Sequence, residues 1–326
     1  MREFDVLVLG GGTAGIAAAL AACWAGARVA LVERKAPLGG DCTFYGCVPS
    51  KALLEVAKVV HEARQAAREG IFADAPTIDF DRIVARQRRI VEEIAADERD
   101  ERFERQGIAL VRGEARFLSP RELEVDGEPV RGERFVIATG SEPAVPAITG
   151  IGEVAYLTNR TIFSLDHLPR RLLVLGGGAT GLELAQAFRR FGSEVAVVEM
   201  LERLLPAEEP EAGRVLADVL RDEGVELRLG AQAQAVGADG AEVTLSLGRE
   251  ELRGDALLVA VGRRGSVDGL GFEALGVALE GGYVTVDRRA RTSLPHIFGA
   301  GDVTGGLQFT HVAAHEGRVA GNERRR

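Results

Sequence analysis

The sequence has only three cysteines in 326 residues. A secreted protein built on a disulfide framework is therefore excluded, and a reducing compartment is the better expectation. Basic residues are also fewer than acidic ones: 40 Lys and Arg residues against 49 Asp and Glu residues give a formal net charge of −9. A chain without a basic surplus does not attract polyanions, which argues against nucleic acid as its main partner.

An uninterrupted hydrophobic run is missing as well, although residues 6–27 carry no charge. A stretch of this length raises the question of a membrane span. Four glycines between positions 10 and 15 interrupt it, and the acidic residues before it do not form the positive n-region of a signal peptide. A buried strand, a glycine turn and an alanine-rich helix explain the run better. We expect no membrane or targeting segment and a cytoplasmic location.

Glycine, in contrast, is abundant at 41 residues, and it marks a repeat. Residues 8–33 read VLGGGTAGIAAALAACWAGARVALVE, and residues 174–199 read VLGGGATGLELAQAFRRFGSEVAVVE. Both copies predict a strand, a GxGxxG turn, a helix and a second strand that ends in an acidic residue. The copies align without a gap.

Each copy supplies the parts that a dinucleotide site requires. Its glycines allow a tight turn, let the backbone approach a pyrophosphate, and let helix and strand pack closely. In that order the pairs are Gly10 and Gly176, Gly12 and Gly178, and Gly15 and Gly181. Glu33 and Glu199 end the second strands, placed to accept a hydrogen bond from a ribose 2′-hydroxyl. Two such sites in one chain indicate that one holds a flavin, because a hydride needs both a donor and an acceptor.

The rest of the chain completes an α/β prediction: two Rossmann-like domains of three-layer ββα character, the second inserted in the first. The predicted boundaries are residues 1–148, 149–266 and 267–326. Between the glycine turns, residues 51–70 and 81–106 predict long amphipathic helices. Their inward-facing candidates are Leu54, Val60, Ile83, Ile90 and Ile94.

Two cysteines, Cys42 and Cys47, lie in GGDCTFYGCVPSK, residues 39–51. In a regular helix, residues five apart lie about 7.5 Å apart along the axis and on different faces, whereas a disulfide needs Cα atoms within about 7 Å. Gly46 and Pro49 indicate an irregular backbone, so a bridge can form. Two unrelated thiols and half of a metal site are the alternatives, but no CxxC or His cluster completes a zinc site, and we expect no metal. The third cysteine, Cys23, is expected to be a small buried apolar residue.

This segment resembles the redox-disulfide motif of the class I pyridine nucleotide-disulfide oxidoreductases. That family includes dihydrolipoamide dehydrogenase, glutathione reductase and mercuric reductase. The resemblance covers essentially the whole chain, through both GxGxxG turns, CxxxxC, ATG at residues 138–140 and IFGAGD at residues 297–302. It implies an FAD domain in residues 1–148 and 267–326, and an NAD(P) domain in residues 149–266.

The resemblance also implies a mechanism and its residues. NADH in the second domain would pass a hydride to FAD in the first, and the reduced flavin would open a Cys42–Cys47 disulfide. Cys47 would be the thiolate against the flavin, and Cys42 the thiol that attacks substrate. Lys51 matches the lysine near flavin N5, and Glu183 matches its acidic partner.

Further cofactor-binding positions follow from the same resemblance. They are Gly40, Thr139, Gly140, Asp302, His311 and Gly262. Among them Asp302 would contact the ribityl chain, and either Thr310 or His311 would contact the flavin ring. The carboxylate of Glu199 would bond a free 2′-hydroxyl and repel a 2′-phosphate, so NADH is favoured over NADPH. Arg203, four residues further on, is the argument against that preference.

The substrate expected is a small disulfide, as for dihydrolipoamide dehydrogenase, which residues 197–206 resemble. Mercuric reductase-like reduction of a metal ion is the alternative, because CVPSK and residues 158–169 resemble that enzyme. A third possibility, of another class, is a flavin-binding redox sensor or docking module without catalysis.

Members of the family continue into a further domain, which mediates homodimerisation and carries a His–Glu pair that assists the partner subunit's interchange thiol. This sequence ends at NERRR, residues 322–326, without an HPxxxE-like segment. We therefore expect poor reduction of disulfides and a monomer. The chain is either a piece of a longer enzyme or a short natural protein of thioredoxin reductase size. The first is favoured, because the low-molecular-weight thioredoxin reductases keep their cysteines in the NADPH domain.

Overall fold

The computed structural model describes residues 1–240 and 242–323. Its contacts divide the chain into two compact units. The first unit comprises Met1–Phe44, Glu92–Glu142 and the described residues from Arg263 onward. The second comprises Tyr45–Val91 and Pro143–Gly262.

Strands and helices alternate around the two glycine turns, whereas elsewhere several helices or several strands follow one another. The strands are β1 (Arg2–Leu9), β2 (Val29–Glu33), β3 (Ile108–Arg112), β4 (Ala115–Ser119), β5 (Glu122–Val125), β6 (Glu128–Ile137), β7 (Ser141–Pro143), β8 (Arg171–Leu175), β9 (Glu194–Glu199), β10 (Glu226–Leu229), β11 (Ala235–Asp239), β12 (Glu242–Ser246), β13 (Glu251–Gly254), β14 (Ala256–Val259), β15 (Arg263–Gly265), β16 (Leu279–Glu280), β17 (Tyr283–Val284) and β18 (Ile297–Gly299). The α-helices are α1 (Thr13–Trp24), α2 (Gly40–Phe44), α3 (Cys47–Arg68), α4 (Phe80–Ala95), α5 (Asp100–Glu104), α6 (Ala179–Phe191), α7 (Pro210–Asp222), α8 (Phe272–Leu275) and α9 (Thr310–Asn322). Short 3-10 helices span Ala96–Glu98, Ile151–Glu153, Ile162–Ser164 and Asp302–Thr304.

The first unit is built on a sheet in the order β3–β2–β1–β6, in which neighbouring strands are parallel. The long strand β6 also pairs with two other strands. Its first half pairs antiparallel with β5, which leads to β4, and its last three residues pair in parallel with β18. One strand therefore belongs both to the parallel sheet and to the antiparallel meander.

The two faces of β1 explain how this unit forms a core. Val6 and Val8 are buried in one cluster with the alanines of α1 and with α9. Leu7 and Leu9 are buried in a different cluster, with Phe117, Leu123 and other residues of the meander. Because side chains alternate across a strand, an unbroken apolar run serves both faces of a sheet covered on each side.

The second unit repeats this plan on the parallel sheet β10–β9–β8–β14. Leu172 and Val174 of β8 pack in one cluster with Phe188 of α6. Leu173 and Leu175 pack in another, with Val236 and other residues of the antiparallel sheet β11–β12–β13. The predicted α/β class with Rossmann-like units is thus confirmed, and the sequence repeat is also a structural one.

The unit boundaries differ from the predicted domain boundaries mainly in one long segment, and by a few residues at 143–148 and 263–266. We expected residues 45–91 in the first domain, but the contacts group them with the second unit. The reason is apolar packing: Leu53 and Ala57 of α3 share a buried cluster with Leu184 and Phe188 of α6. The functional boundaries at residues 148 and 266 stay a prediction.

The long helix predicted over residues 81–106 was wrong. Helix α4 ends at Ala95, a 3-10 turn follows, and Arg99 is extended with ψ of 150° before α5 begins. Tertiary contacts of the first unit account for the break, because Glu98 accepts a hydrogen bond from Thr43 and Asp100 accepts one from Arg112. Among the inward-facing candidates Val60 is buried, Leu54, Ile83 and Ile90 are half-buried, and Ile94 is 42% exposed.

The uncharged run at the N-terminus forms the predicted strand, turn and helix, since β1 ends at Leu9 and α1 begins at Thr13. No helix within residues 1–240 and 242–323 has the length and apolar character needed to cross a membrane.

Helices α1 and α9 approach closely because glycines line their contact. A Cβ atom on Gly317 would lie 2.2 Å from the carbonyl oxygen of Ala14, and one on Gly321 would lie 2.3 Å from that of Ala18. Both distances are well inside van der Waals contact with a backbone atom that cannot rotate away. The absence of a side chain at these positions therefore sets the spacing of the two helices.

This contact predicts that Gly317→Ala lowers the stability of the first unit. Overpacking of a tight contact costs about 1–3 kcal/mol, which a lower midpoint of urea unfolding would show. Gly306→Ala is the matched control, because a Cβ there meets no atom within 4 Å. Equal midpoints for the two variants would contradict the proposed role of the glycine contact.

Candidate functional site

The two glycine turns are each closed by a carboxylate in the same way. In the first unit Glu33 Oε2 accepts a hydrogen bond of 2.7 Å from the Gly11 N–H, and Oε1 accepts one of 2.9 Å from the Lys35 N–H. In the second unit Glu199 Oε2 accepts from the Gly177 N–H at 2.6 Å, and Oε1 accepts from the Leu201 N–H at 2.8 Å. Both acids are therefore held against the glycine turn, where an adenosine ribose lies in dinucleotide sites.

Four of the turn glycines are required by packing. A Cβ on Gly10 or Gly176 would lie 2.3 Å from the carbonyl oxygen of Ala138 or Ala260, respectively. A Cβ on Gly15 or Gly181 would collide with the carbonyl oxygen of the first glycine of its own turn. These positions fit the tight turn and the close approach of helix to strand that the sequence predicted.

At the middle glycine of each GxGxxG turn, Gly12 or Gly178, the position of a Cβ is not in close contact with the rest of the protein. This position tests whether a dinucleotide fits the turn. A Cβ on Gly178 would meet no atom within 4 Å, and one on Gly12 would come no closer than 3.7 Å to the Gly40 Cα. Packing within the protein therefore does not explain glycine at these two positions. Open backbone at the start of α1 and of α6 matches what a bound pyrophosphate needs.

The segment that carries Cys42 lies against the first of these turns. The Gly39 N–H donates to the Gly11 carbonyl at 2.8 Å. Gly40 has a φ of +65°, and a Cβ there would lie 2.8 Å from the Gly12 Cα. The thiol-bearing helix α2 thus begins directly beside the turn of the first nucleotide site.

Each residue of α2 from Asp41 to Thr43 contacts a distant part of the first unit. Asp41 forms an ion pair with Arg263. The Thr310 hydroxyl, at the start of α9, lies 3.2 Å from Cys42 Sγ. The Thr43 hydroxyl donates to Glu98 at 2.8 Å, and burial of Glu98 raises the pKa of its carboxyl group above the usual value, against the lowering effect of that bond.

The predicted FAD-binding residues Thr139, Gly140 and Asp302 also lie in the first unit. The Thr139 hydroxyl donates to the Ser266 carbonyl at 2.7 Å, and the Ser266 N–H donates to the Gly140 carbonyl at 2.9 Å. Asp302 accepts a hydrogen bond of 2.7 Å from the hydroxyl of Ser141. The structure thus brings most of the predicted FAD-binding residues onto one unit, while their roles stay predictions.

His311 is the second residue of α9, in the same unit. Its ring stacks on that of Phe309, with centroids 5.6 Å apart. A contact of His311 with the flavin stays a prediction.

In the second unit Cys47 is exposed and is the first residue of α3. Lys51 follows one turn later, and its Nζ lies 2.8 Å from both carboxylate oxygens of Glu183 on α6. The two side chains are 61% and 39% exposed. An exposed pair contributes about 0–1 kcal/mol to stability, and a catalytic role for Lys51 and Glu183 stays a prediction from the sequence. The pairing of Cys42 with Cys47 stays a prediction from the sequence.

The remaining cysteine, Cys23, is half-buried and its thiol donates to the Gln106 carbonyl at 3.1 Å. Across the part of the chain that the structure describes, no three His, Cys, Asp or Glu side chains form a group that could hold a metal ion.

The chain is similar to a known family and to proteins within it. Residues 4–317 match the family described as pyridine nucleotide-disulphide oxidoreductase. The chain is 35% identical over 322 residues to the mercuric reductase of Lysinibacillus sphaericus, covering 97% of this chain and 59% of that protein. It is 38% identical over 329 residues to the dihydrolipoyl dehydrogenase of Thermus scotoductus, covering 98% and 70%.

A solved structure is also similar. The Cu(II) complex of the HOCl-induced flavoprotein disulfide reductase RclA from Escherichia coli matches with a TM-score of 0.87 at 32% identity, covering 98% of this chain and 70% of that one. The chain belongs to the pyridine nucleotide-disulphide oxidoreductase family. The predicted resemblance is confirmed.

Pyridine nucleotide-disulphide oxidoreductases are FAD-dependent and use NAD(P)H, which agrees with the predicted cofactors. This chain spans only part of the relatives' length, 59% of the Lysinibacillus protein and 69% of the Streptomyces lividans mercuric reductase. When FAD is present, Glu33 and the open backbone at Gly12 would hold its adenosine and pyrophosphate, and Asp302 would reach its ribityl chain. Glu199 and Gly178 would hold the pyridine nucleotide in the second unit.

Sequence reasoning missed Arg263, Ser141 and Glu98. A lone carboxylate at Asp41, between glycines and a cysteine, does indicate a cationic partner. The sequence offers 40 Lys and Arg residues for that place, and Arg263 lies 222 positions away. No spacing rule selects it.

Because Gly178 has no protein atom near its Cβ position, a substitution there should weaken nucleotide binding without lowering the stability of the protein. Gly178→Ala should weaken NAD⁺ binding about tenfold, equivalent to about 1.4 kcal/mol, because the new methyl group occupies the approach of the pyrophosphate. The thermal unfolding midpoint should not move, since the methyl group meets no protein atom. Isothermal titration with NAD⁺ and differential scanning calorimetry measure the two effects. Unchanged affinity, or a loss of affinity that only accompanies unfolding, would count against a nucleotide at this turn.

Proposed function

We propose that this chain carries the nucleotide sites and the dithiol of an NADH-dependent, FAD-containing disulfide oxidoreductase. The observation that supports it most is the position of the thiol segment, which is hydrogen-bonded to the first glycine turn through the Gly39 N–H and the Gly11 carbonyl. FAD, when bound at that turn, supplies the chemistry that converts a hydride from NADH into an electron pair for a disulfide.

The protein's own thiols would perform the exchange with substrate. The Cys42 thiolate attacks one sulfur of the substrate disulfide, forms a mixed disulfide and releases one substrate thiol. The Cys47 thiolate then attacks Cys42 Sγ, releases the second substrate thiol and leaves a Cys42–Cys47 disulfide. Overall, NADH, one proton and a disulfide become NAD⁺ and two thiols. Thr310 supports the first step, because its hydroxyl lies 3.2 Å from Cys42 Sγ and can stabilise the thiolate by a hydrogen bond.

A count of thiols tests this proposal without any choice of substrate. The oxidised protein should show one reactive thiol per chain after denaturation, that of Cys23, and anaerobic NADH should raise the count to three, the total number of cysteines. Cys23→Ser should shift both counts down by one, and Cys42→Ser should abolish the increase. If the protein contains stoichiometric FAD but its number of thiols does not change when NADH is added, it is instead a flavin-binding module without redox catalysis.

NADH is the proposed donor because of the side chains around Glu199. The Glu199 carboxylate is buried and held by two backbone N–H groups, so it cannot turn away from a ribose. Arg203, the residue that argued for NADPH, donates to the carbonyls of Pro206 and Glu208 at 2.6 and 3.0 Å. A guanidinium engaged in this way is not directed to a 2′-phosphate, which supports NADH.

This arrangement predicts that kcat/KM with NADH exceeds that with NADPH by at least about tenfold, because a carboxylate repels the 2′-phosphate. Ferricyanide is a suitable acceptor, since its reduction does not involve the thiols. Glu199→Gln should lower the ratio of kcat/KM with NADH to kcat/KM with NADPH. It removes the charge and keeps an oxygen that can accept the hydrogen bond from the Gly177 N–H. Glu194→Gln, on an exposed residue of the same strand, should leave the ratio unchanged. A preference for NADPH in the unmodified protein would overturn this assignment.

Reduction of a soft metal ion is the second candidate function. Several relatives are named mercuric reductase, and the similar structure of RclA is a Cu(II) complex. A thiolate pair is a ligand set that suits soft metals. NADH oxidation measured with lipoamide, glutathione disulfide, Hg(II) and Cu(II) in parallel distinguishes the two substrate classes.

A further inference from the structure

Arg263 is the cation at the centre of the polar contacts around the Cys42 helix, and neither the sequence patterns nor the proposed mechanism uses it. It is the first residue of β15 and is 24% exposed. Its Nη2 forms an ion pair with Asp41, the residue before Cys42. Its Nε donates to the Ser141 hydroxyl at 2.6 Å, and its Nη2 donates to the Ser141 carbonyl at 3.0 Å.

A second carboxylate completes this arrangement. The Ser141 hydroxyl accepts from Arg263 and donates to Asp302 at 2.7 Å, and Arg263 Nε lies 3.7 Å from the same Asp302 oxygen. Asp41 and Asp302 are both about three-quarters shielded from solvent. One guanidinium therefore faces two partly buried carboxylates, which a planar fork of donors can satisfy together.

This geometry has a consequence for the thiol next to Asp41. A carboxylate beside a cysteine disfavours its thiolate, and a nearby cation favours it. The groups on the elements that contact α2 include the neutral hydroxyl of Thr310, which lies against Cys42, and Glu98, which accepts a hydrogen bond from Thr43 and whose burial raises the pKa of its carboxyl group. His311, also on α9, stacks on Phe309.

We propose that Arg263 is a positioning residue for the substrate-reactive thiol: by neutralising Asp41, and by holding it together with Asp302 through Ser141, it keeps Cys42 reactive at neutral pH. This inference rests on the proposed function for the importance of Cys42, but the effect on the thiol exists whether or not NADH reduces the protein. Loss of Arg263 would leave two carboxylates without their shared cation. Loss of the Asp41 charge would leave Arg263 paired with Asp302 alone and would remove the carboxylate beside the thiol.

The test measures the rate at which iodoacetamide alkylates Cys42 in the FAD-loaded protein at pH 7. A Cys23→Ser, Cys47→Ser background leaves Cys42 as the single cysteine, so no disulfide within the chain and no turnover affects the result. Arg263→Gln should slow alkylation about fivefold, and Asp41→Asn should accelerate it about threefold, as expected when one charge changes near a thiolate. The double variant should return to within about twofold of the background rate.

Two further variants separate charge from damage to the fold. Arg263→Lys keeps the charge and should react within about twofold of the background. Arg264→Gln removes the same charge one residue away, from a side chain that is 56% exposed and pairs with Glu142 and Asp268, and should have no effect. If Arg263→Gln fails to fold, the double variant takes its place: it should react more slowly than Asp41→Asn alone because it lacks the cation, and equal rates in these two variants would overturn the proposal.

The decisive comparison is the direction of the two single variants. Opposite directions with recovery in the double variant support charge compensation by Arg263. Changes in the same direction would show that the ion pair acts only as a mechanical contact, and unchanged rates in both would show that it does not influence Cys42; either result overturns the proposal. Failure of the proposed function would appear separately, as a thiol count that does not respond to NADH.

Discussion

Both units depend on a hydrogen bond between a glycine turn and the acid that ends the next strand. The turn must expose its backbone N–H groups to bind a dinucleotide, and exposed donors near a buried strand end need acceptors. Glu33 and Glu199 supply those acceptors, each taking one bond from the turn and one from the residue two positions after itself. The acid thus holds the turn in shape, at the position that lies beside the ribose in dinucleotide sites.

The close approach of helices to this turn is a second requirement, and small residues meet it. Gly15 and Gly181 bring α1 and α6 onto the first glycine of their own turns, and in the first unit Gly317 and Gly321 bring α9 onto α1. Helix α9 begins at Thr310, whose hydroxyl touches Cys42. The glycines of the contact with α1 thus lie on the same helix as the hydroxyl that contacts the thiol.

The polar contacts of α2 connect this packing to redox chemistry. A five-residue helix has little stability of its own, so its position depends on the side chains that hold it. Asp41, Cys42 and Thr43 contact Arg263 of β15, Thr310 of α9 and Glu98 of the 3-10 turn after α4. A thiol held in this way has a defined electrostatic environment, which is what thiol exchange at neutral pH requires.

The α/β class, the duplicated turn and the acids Glu33 and Glu199 were predictable from the sequence. A strand, a glycine turn, a helix and a second strand follow one another directly along the chain, so their order and spacing can be read from the residues. The two-faced burial of β1 and β8 was implied by the same pattern. The break of the helix after Ala95 was not, since α4 continues an amphipathic pattern that only the contacts of Glu98 and Asp100 interrupt. Likewise α3 was expected with the first domain, and its apolar contacts with α6 group it with the second unit.

The sequence by itself determined the family, the cofactor type and the two candidate thiols, because each depends on residues close together along the chain. Only the tertiary structure decided which cation pairs with Asp41, which hydroxyl contacts Cys42 and which carbonyls Arg203 contacts. The first two are contacts between residues far apart in sequence, and the third depends on which backbone carbonyls the folded loop presents. Sequence patterns do not predict these contacts, because they are selected by packing in the folded chain and by the need to satisfy buried polar groups.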